Sequence, residues 1–429
     1  MEEYLEDPER PANSRSAPLF FLLLGLAFSI VPIINSTRAS STNKDYTLWF
    51  DVGNRLQAGE PLYQLGEDGE VRYMYPPTLA VLVFYPLSLF GPMAFVAILT
   101  ACNSIAWVLA VTLSIQLVTG RWLGHTRCLY IVPSLAVVPY IWDTYLLGQV
   151  NLFLLVLVLG SFLALRKKRG ILAGLLLGLA IAIKVFPLPV VIYFLFRKQW
   201  LAALSTFASC VLFLAVAPGA IRGFERNGNE LQQWVATMVG DQSGNTMAAR
   251  SHIGFTRRNQ SLVSLSHRWL RPVDAGDRDG VPFRIHVTEV SPRTAQLIGY
   301  GSCLVLALLF LWAARGRMGR NYEAEGIEAG MVCTLVVLVS PLSWTYFFCW
   351  LLPAWTATIY YAMKPARSLK RIWVGIALAG VLFASALTEQ IDPLLQAYGA
   401  TAFGAVVLFL VQAVILREIT RNTEPKSSR

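Results

Sequence analysis

Charge is scarce in this chain. Only 14% of its 429 residues are Asp, Glu, Lys or Arg, and 55% are hydrophobic. A soluble domain carries about 25% charge. The charges sit in short clusters between apolar runs, several of them near the roughly 20 residues that cross a bilayer, which excludes a single large soluble core. The six cysteines (Cys102, Cys128, Cys210, Cys303, Cys333 and Cys349) have no paired spacing. A disulfide framework is therefore disfavoured, and they read as small buried hydrophobes. The four histidines, His125, His252, His267 and His286, lack metal-ligand spacing, so no metal is expected. No glycine-rich phosphate loop follows a strand, which disfavours a nucleotide donor on a Rossmann domain; no cofactor is expected. No internal repeat stands out, which counts against inverted-repeat transporters. The N-terminus lacks the basic start of a secretory signal, carrying Glu2, Glu3, Glu6, Asp7 and Glu9 instead, so Ala17 to Asn35 reads as a retained first span.

What is present is a succession of apolar segments. Helices satisfy their own backbone hydrogen bonds in lipid, so the fold expected is all-α and polytopic, with about 12 transmembrane helices. The net charge of +10 has a topological explanation: Arg166 to Arg169, Arg197-Lys198, Arg315 to Arg320 and Lys364 to Arg371 mark cytoplasmic loops. No basic stripe with interleaved aromatics suggests nucleic-acid binding. The expected organisation is a cytoplasmic tail over 1–16, a multi-span domain over 17–416 and a cytoplasmic tail over 417–429, with outer loops at about 36–77 and 218–293. A helix is expected near Leu231 to Val239 in the second loop. The run Thr78 to Phe90 is apolar but short and broken by Gly91-Pro92, so it reads as interfacial or re-entrant. Gly170 to Phe196 reads as two short arms interrupted at Lys184-Val185-Phe186-Pro187.

The candidates for chemistry gather on the expected outer side. Asp45 follows the first span in an aromatic-rich stretch, a position suited to a general base at the bilayer surface; Asp51 lies six residues on. For either, an ordinary solvated carboxylate is the bland alternative. Lys184 is an ammonium in an apolar run, costly unless paired or functional, and a lysine at a broken helix suits a phosphate; snorkelling is its bland alternative. Gln149 and Asn151 head a hydrophobic segment, where they suit either sugar hydrogen bonding or helix packing. Arg257-Arg258-Asn259-Gln260-Ser261, with His267-Arg268 beyond, is either a phosphate-recognising cluster or a surface charge run. Ser340-Pro341-Leu342-Ser343-Trp344-Thr345-Tyr346 is a polar, aromatic break that also suits an interfacial belt.

In order, Asp45 fourteen residues before Gly59, Tyr63, Tyr75-Pro76-Pro77, Gly148-Gln149-Val150-Asn151, Gly174 with Lys184 and Pro187, Asn259-Gln260-Ser261 and Ser340-Pro341-Leu342-Ser343-Trp344 resemble glycosyltransferase family 87. That family includes mycobacterial polyprenyl-phosphate-mannose-dependent mannosyltransferases. The resemblance implies a GT-C-like membrane enzyme in the plasma (inner) membrane, with its active site on the outer face. It implies an inverting hexosyltransferase that moves a sugar, mannose in the family's named members, from a polyprenyl-phosphate donor to a lipid or glycan acceptor. By carry-over, Asp45 is the base, and Lys184, Arg258 and Arg268 meet the donor phosphate. Asp51, Tyr75, Gln149, Asn151, Asn259, Gln260, Trp344 and Tyr346 are the sugar- and acceptor-binding candidates. Family members often carry a histidine two positions after the motif's tryptophan. Here Tyr346 stands there, a phenol that donates a hydrogen bond but stays neutral, which leaves the sugar's identity open. A membrane transporter or lipid flippase is the competing reading, because intramembrane ionisable groups also mark transport pathways.

Overall fold

Apolar length decides the architecture. The computed structural model describes residues 16–37, 44–64, 73–122, 126–238, 254–276, 283–315, 321–364, 370–388 and 393–423. Most of the two expected tails, including the acidic N-terminus, lies outside the described residues. Among the described residues, α1 (Ser16–Ser36) is the first of seven helices long and apolar enough to cross a membrane. α2 (Lys44–Gln57) is amphipathic, and α3 (Pro77–Ser88) is short, with a π-helical turn at Ala80–Phe84. α4 (Pro92–Thr119) and α5 (Arg127–Leu147) are span-length, whereas α6 (Asn151–Arg166), α7 (Gly170–Ile183) and α8 (Val190–Phe196) are shorter. α9 (Trp200–Arg222) is span-length; the polar α10 (Phe224–Met238) and the short α11 (Leu262–Leu270) follow. α12 (Pro292–Ala313) is span-length, and α13 (Tyr322–Val339) is a central helix carrying three glutamates. A 3-10 turn (Thr345–Leu351) then runs into α14 (Leu352–Ala362), and α15 (Lys370–Ala384) and α16 (Ala400–Thr423) complete the bundle. Among the described residues there is no strand, only an isolated bridge between Asn259 and Trp344. The chain is an all-α polytopic membrane protein.

α10 begins earlier than the sequence pattern suggests. Its first turns are polar, and they are held from outside: Asn227 Nδ2 donates to the carbonyls of Leu214 and Ala215 on α9. Tertiary hydrogen bonds here override a weak local signal.

α7 and α8 form a hairpin that enters and leaves at one end of the bundle. α7 runs parallel to α9, with Ser209 Oγ donating to Leu175 O at 3.0 Å. The approach is possible because Gly174 has no side chain; a Cβ there would lie 2.5 Å from Ala202 O and 2.6 Å from Thr206 N. Close backbone packing of this kind replaces the hydrophobic drive that lipid-exposed helices lack. α7 ends at Lys184, where the backbone turns extended and Pro187 and Pro189 follow. A proline ahead disfavours continuing the helix. After α8, Arg197 pairs with Glu328 on α13, and Arg166 at the end of α6 pairs with Glu325 on the same helix. The feet of the hairpin therefore share an end with Arg166, while its tip, Lys184, meets Asn151 at the other end of α6. α6 separates the two ends by roughly 23 Å.

Candidate active site

α2 carries Asp45 to the tip of that hairpin. Tyr46, Trp49, Val52 and Leu56 recur at helical spacing and are all buried, so one face of α2 is apolar. Each such burial contributes up to about 1.5–3 kcal/mol. Trp49 stacks on Phe84 of α3 with centroids 4.8 Å apart. Tyr46 Oη donates to Tyr145 O at 2.8 Å, locking α2 onto the end of α5. Gly148 caps α5 in the left-handed region (φ +72°), and a Cβ there would meet the Tyr46 ring at 2.8 Å. Glycine is thus required for two independent reasons. The next residue, Gln149, faces Asp45.

The result is a chain of polar contacts. Gln149 Nε2 donates to Asp45 Oδ2 at 2.5 Å. Gln149 Oε1 accepts from Tyr75 Oη at 2.8 Å and from Lys184 Nζ at 3.4 Å. Lys184 Nζ also reaches Asn151 Oδ1 at 3.2 Å and Tyr75 Oη at 3.4 Å. Three rings face the ammonium, with centroids at 4.1 Å (Phe347), 5.1 Å (Tyr75) and 5.4 Å (Tyr346). Cation–π contacts lower the cost of holding an ammonium out of water. Among the described residues Lys184 has no ion-pair partner, so one neutral amide separates carboxylate from ammonium. Asp45 and Lys184 are half-buried, whereas Gln149 and Asn151 are buried. Burial first, and then the Asp45 charge, raise the Tyr75 phenol above its ordinary pKa, so it remains a neutral donor.

Other candidates fall elsewhere. Asp51 is exposed on α2 and makes no hydrogen bond to this network among the described residues. Asn259 and Gln260 are fully buried, with their amides on backbone groups. Asn259 Nδ2 donates to Pro341 O (3.0 Å) and Gly254 O (2.8 Å), and its Oδ1 accepts from Ser343 N at 2.9 Å. Gln260 Nε2 donates to Gln396 O (2.6 Å) and Arg257 O (2.5 Å). A sugar-binding role does not fit side chains saturated in this way; they latch the segment 254–276 onto the break before Trp344 and onto the start of α16. Arg268 is the sharpest correction. It is fully buried, and its guanidinium donates to the carbonyls of Ala397 (2.9 Å), Thr256 (2.8 Å) and Asn259 (2.7 Å). Burial lowers its pKa, and those carbonyl dipoles offset the penalty. It acts as an internal strut, which does not suit a phosphate-binding role. Arg258 is half-buried beside this latch, and Trp344 is half-buried with its backbone paired to Asn259.

Two polar groups escaped the sequence reading. Asp143 on α5 accepts from Thr345 Oγ1 at 2.8 Å, next to Tyr346. Asn103 on α4 donates to Gln149 O at 3.0 Å, fixing the backbone behind the amide. Asp143 carried a usable signal, an ionisable residue within an apolar helix. Asn103 carried none.

The profile of glycosyltransferase family 87 matches residues 73–341. That span holds Tyr75, Gln149, Asn151 and Lys184, while Asp45 lies ahead of it and joins through Gln149. A polyprenol-phosphate-mannose-dependent alpha-(1-2)-phosphatidylinositol pentamannoside mannosyltransferase of Mycolicibacterium smegmatis is 31% identical, covering 73% of this chain and 68% of its own. A phosphatidylinositol mannoside mannosyltransferase from the same organism, also polyprenol-phosphate-mannose-dependent and alpha-(1-2), is 25% identical over 74% and 68%. An alpha-(1->3)-arabinofuranosyltransferase of Corynebacterium glutamicum is 28% identical over 84% and 76%. Such similarity sets aside the transporter reading: this chain belongs to glycosyltransferase family 87 and is a membrane glycosyltransferase.

Proposed function

We propose that the protein moves a hexose, mannose foremost, from a polyprenyl phosphate to a hydroxyl of a lipid or glycan acceptor, with inversion, at the outer face of the plasma membrane. One observation carries the reading: the Asp45 carboxylate and the Lys184 ammonium bind the same neutral amide, Gln149. A direct ion pair would neutralise both groups. The interposed amide keeps the carboxylate basic and the ammonium available.

Each role follows from chemistry. Asp45 takes the proton of the acceptor hydroxyl as its oxygen forms a bond to the anomeric carbon. The bond from that carbon to the phosphate oxygen breaks, and the polyprenyl phosphate leaves with the electron pair. A phosphate needs little acid assistance, so a cation suffices: Lys184 stabilises the departing charge, and Arg258, beside the latch, is the second candidate for it. Tyr75 and Asn151 orient Lys184, and Tyr346 and Trp344 supply aromatic surface for the sugar. The two mannosyltransferase relatives support mannose, and the arabinofuranosyltransferase relative supports a second candidate sugar. The positive-inside distribution supports the outer face, since Arg166, Arg197 and Arg315 gather at the end remote from Asp45.

The test uses membranes holding the full chain, a labelled polyprenyl-phosphate-mannose donor and a glycolipid acceptor. Wild type should transfer the label and Asp45→Asn should not, with equal amounts of folded protein inserted. Turnover by Asp45→Asn at the wild-type rate rejects the assignment.

A further inference from the structure

The basic end of the bundle holds a cavity of about 680 Å³ that plays no part in the proposed transfer. Four cations line it, Arg166, Arg197, Lys198 and Arg315, against one lining carboxylate, Glu325. The two arginines closer to the axis are already committed. Arg166 pairs with Glu325 and donates to Gln116 O and Leu117 O; Arg197 pairs with the fully buried Glu328 and donates to Ala314 O. These bonds hold both guanidinium groups rigid at the back wall. Lys198 and Arg315 are exposed, and among the described residues neither has a carboxylate partner. Four positive charges against Glu325 and Glu328 leave a surplus at the mouth.

The other surfaces indicate what sort of anion fits. Phe162 and Phe196 give the cavity apolar walls. Beside it α8 and α9 present Leu195, Trp200, Leu201 and Leu204, all more than 40% exposed, on the faces that a bilayer covers. A cationic mouth at the end of an apolar, tryptophan-bearing face matches the boundary between headgroups and acyl chains.

We propose that this cavity is a second lipid site, seating the phosphate of an anionic phospholipid headgroup on Lys198 and Arg315, at the end of the bundle opposite Asp45. Its acyl chains lie along α8 and α9. This assignment does not depend on the sugar-transfer reading. Its consequence is a bound lipid bracing the feet of the hairpin whose tip is Lys184.

The test takes the full-length protein into nanodiscs of phosphatidylcholine with increasing phosphatidylglycerol, reading retained lipid by native mass spectrometry and melting temperature by tryptophan fluorescence. Wild type should retain phosphatidylglycerol and melt higher as its fraction rises. The double variant Lys198→Asn with Arg315→Gln should bind roughly thirty-fold more weakly, given two juxtamembrane charges removed. Both positions are exposed, and asparagine tolerates the left-handed backbone of Lys198 (φ +55°), so folding is preserved. Arg315→Lys should bind as wild type. Glycerol phosphate in the aqueous phase should neither stabilise the protein nor displace the lipid. Equal retention of phosphatidylglycerol by the double variant overturns the proposal. So does stabilisation by glycerol phosphate without any by phosphatidylglycerol, which would mark a site for a soluble anion.

Discussion

Two buried polar clusters in this bundle use similar residues to opposite ends. Around Lys184, an ammonium, a carboxylate, a phenol and two amides bond to one another at 2.5–3.4 Å, the ammonium's own contacts being the long ones, and the two charges stay half-open. Around Arg268, a guanidinium and two amides clamp backbone carbonyls at 2.5–3.4 Å with nothing exposed. The first cluster pairs side chains with side chains and leaves its charges available to a ligand. The second pairs side chains with backbone and so fixes a loop. What a buried polar group bonds to, rather than its identity, separates candidate chemistry from scaffold.

The contrast can be broken experimentally. The largest effect expected is on transfer by Asp45→Asn, a fall of about 10²–10⁴ at unchanged melting temperature, since a positioned base contributes that much. Arg268→Ala should do the reverse, because removing the strut strands several buried carbonyls at a cost of about 1–3 kcal/mol each. The melting temperature should drop sharply, while turnover per folded molecule holds. Should Arg268→Ala instead raise the KM for donor in a normally folded protein, its assignment as scaffold is wrong. Lys184→Gln should weaken donor use by about ten- to a hundred-fold, with less effect on stability than Arg268→Ala; a charge-assisted hydrogen bond is worth about 1.5–3 kcal/mol. The smallest effect is on pH. Burial, and then the neighbouring Arg271, hold His267 down at about 4, below its ordinary pKa of about 6.5. The folded state therefore keeps it neutral; its contribution is complete above pH 6.5 and is lost as pH falls towards 4. Thermal melts between pH 7 and 4.5 should show a loss of a few degrees that His267→Gln removes.

Much of the frame was legible because apolar length and charge clustering are local properties. The span expected over Ala17 to Asn35 appears within a residue as α1. The break at Lys184 could be read from its prolines. Asp45, Tyr75, Gln149, Asn151 and Lys184, far apart in sequence, do come together. What could not be read was direction. An arginine in a polar loop looks the same whether it faces a phosphate or three carbonyls, so Arg268 and its amide neighbours were misjudged together. Glu325 and Glu328 went unnoticed because their partners, Arg166 and Arg197, lie more than a hundred residues away.

The seam between Gly174 and α9 has a mechanical implication. α9 is a helix with little of its surface covered by protein, so its tilt follows the thickness of the surrounding hydrocarbon. Because the two backbones touch there without side chains as cushions, such tilting is passed to α7 and shifts the depth of the lysine at its far end. On the role proposed for Lys184, transfer should therefore vary with acyl-chain length, which turnover in bilayers of different thickness would read.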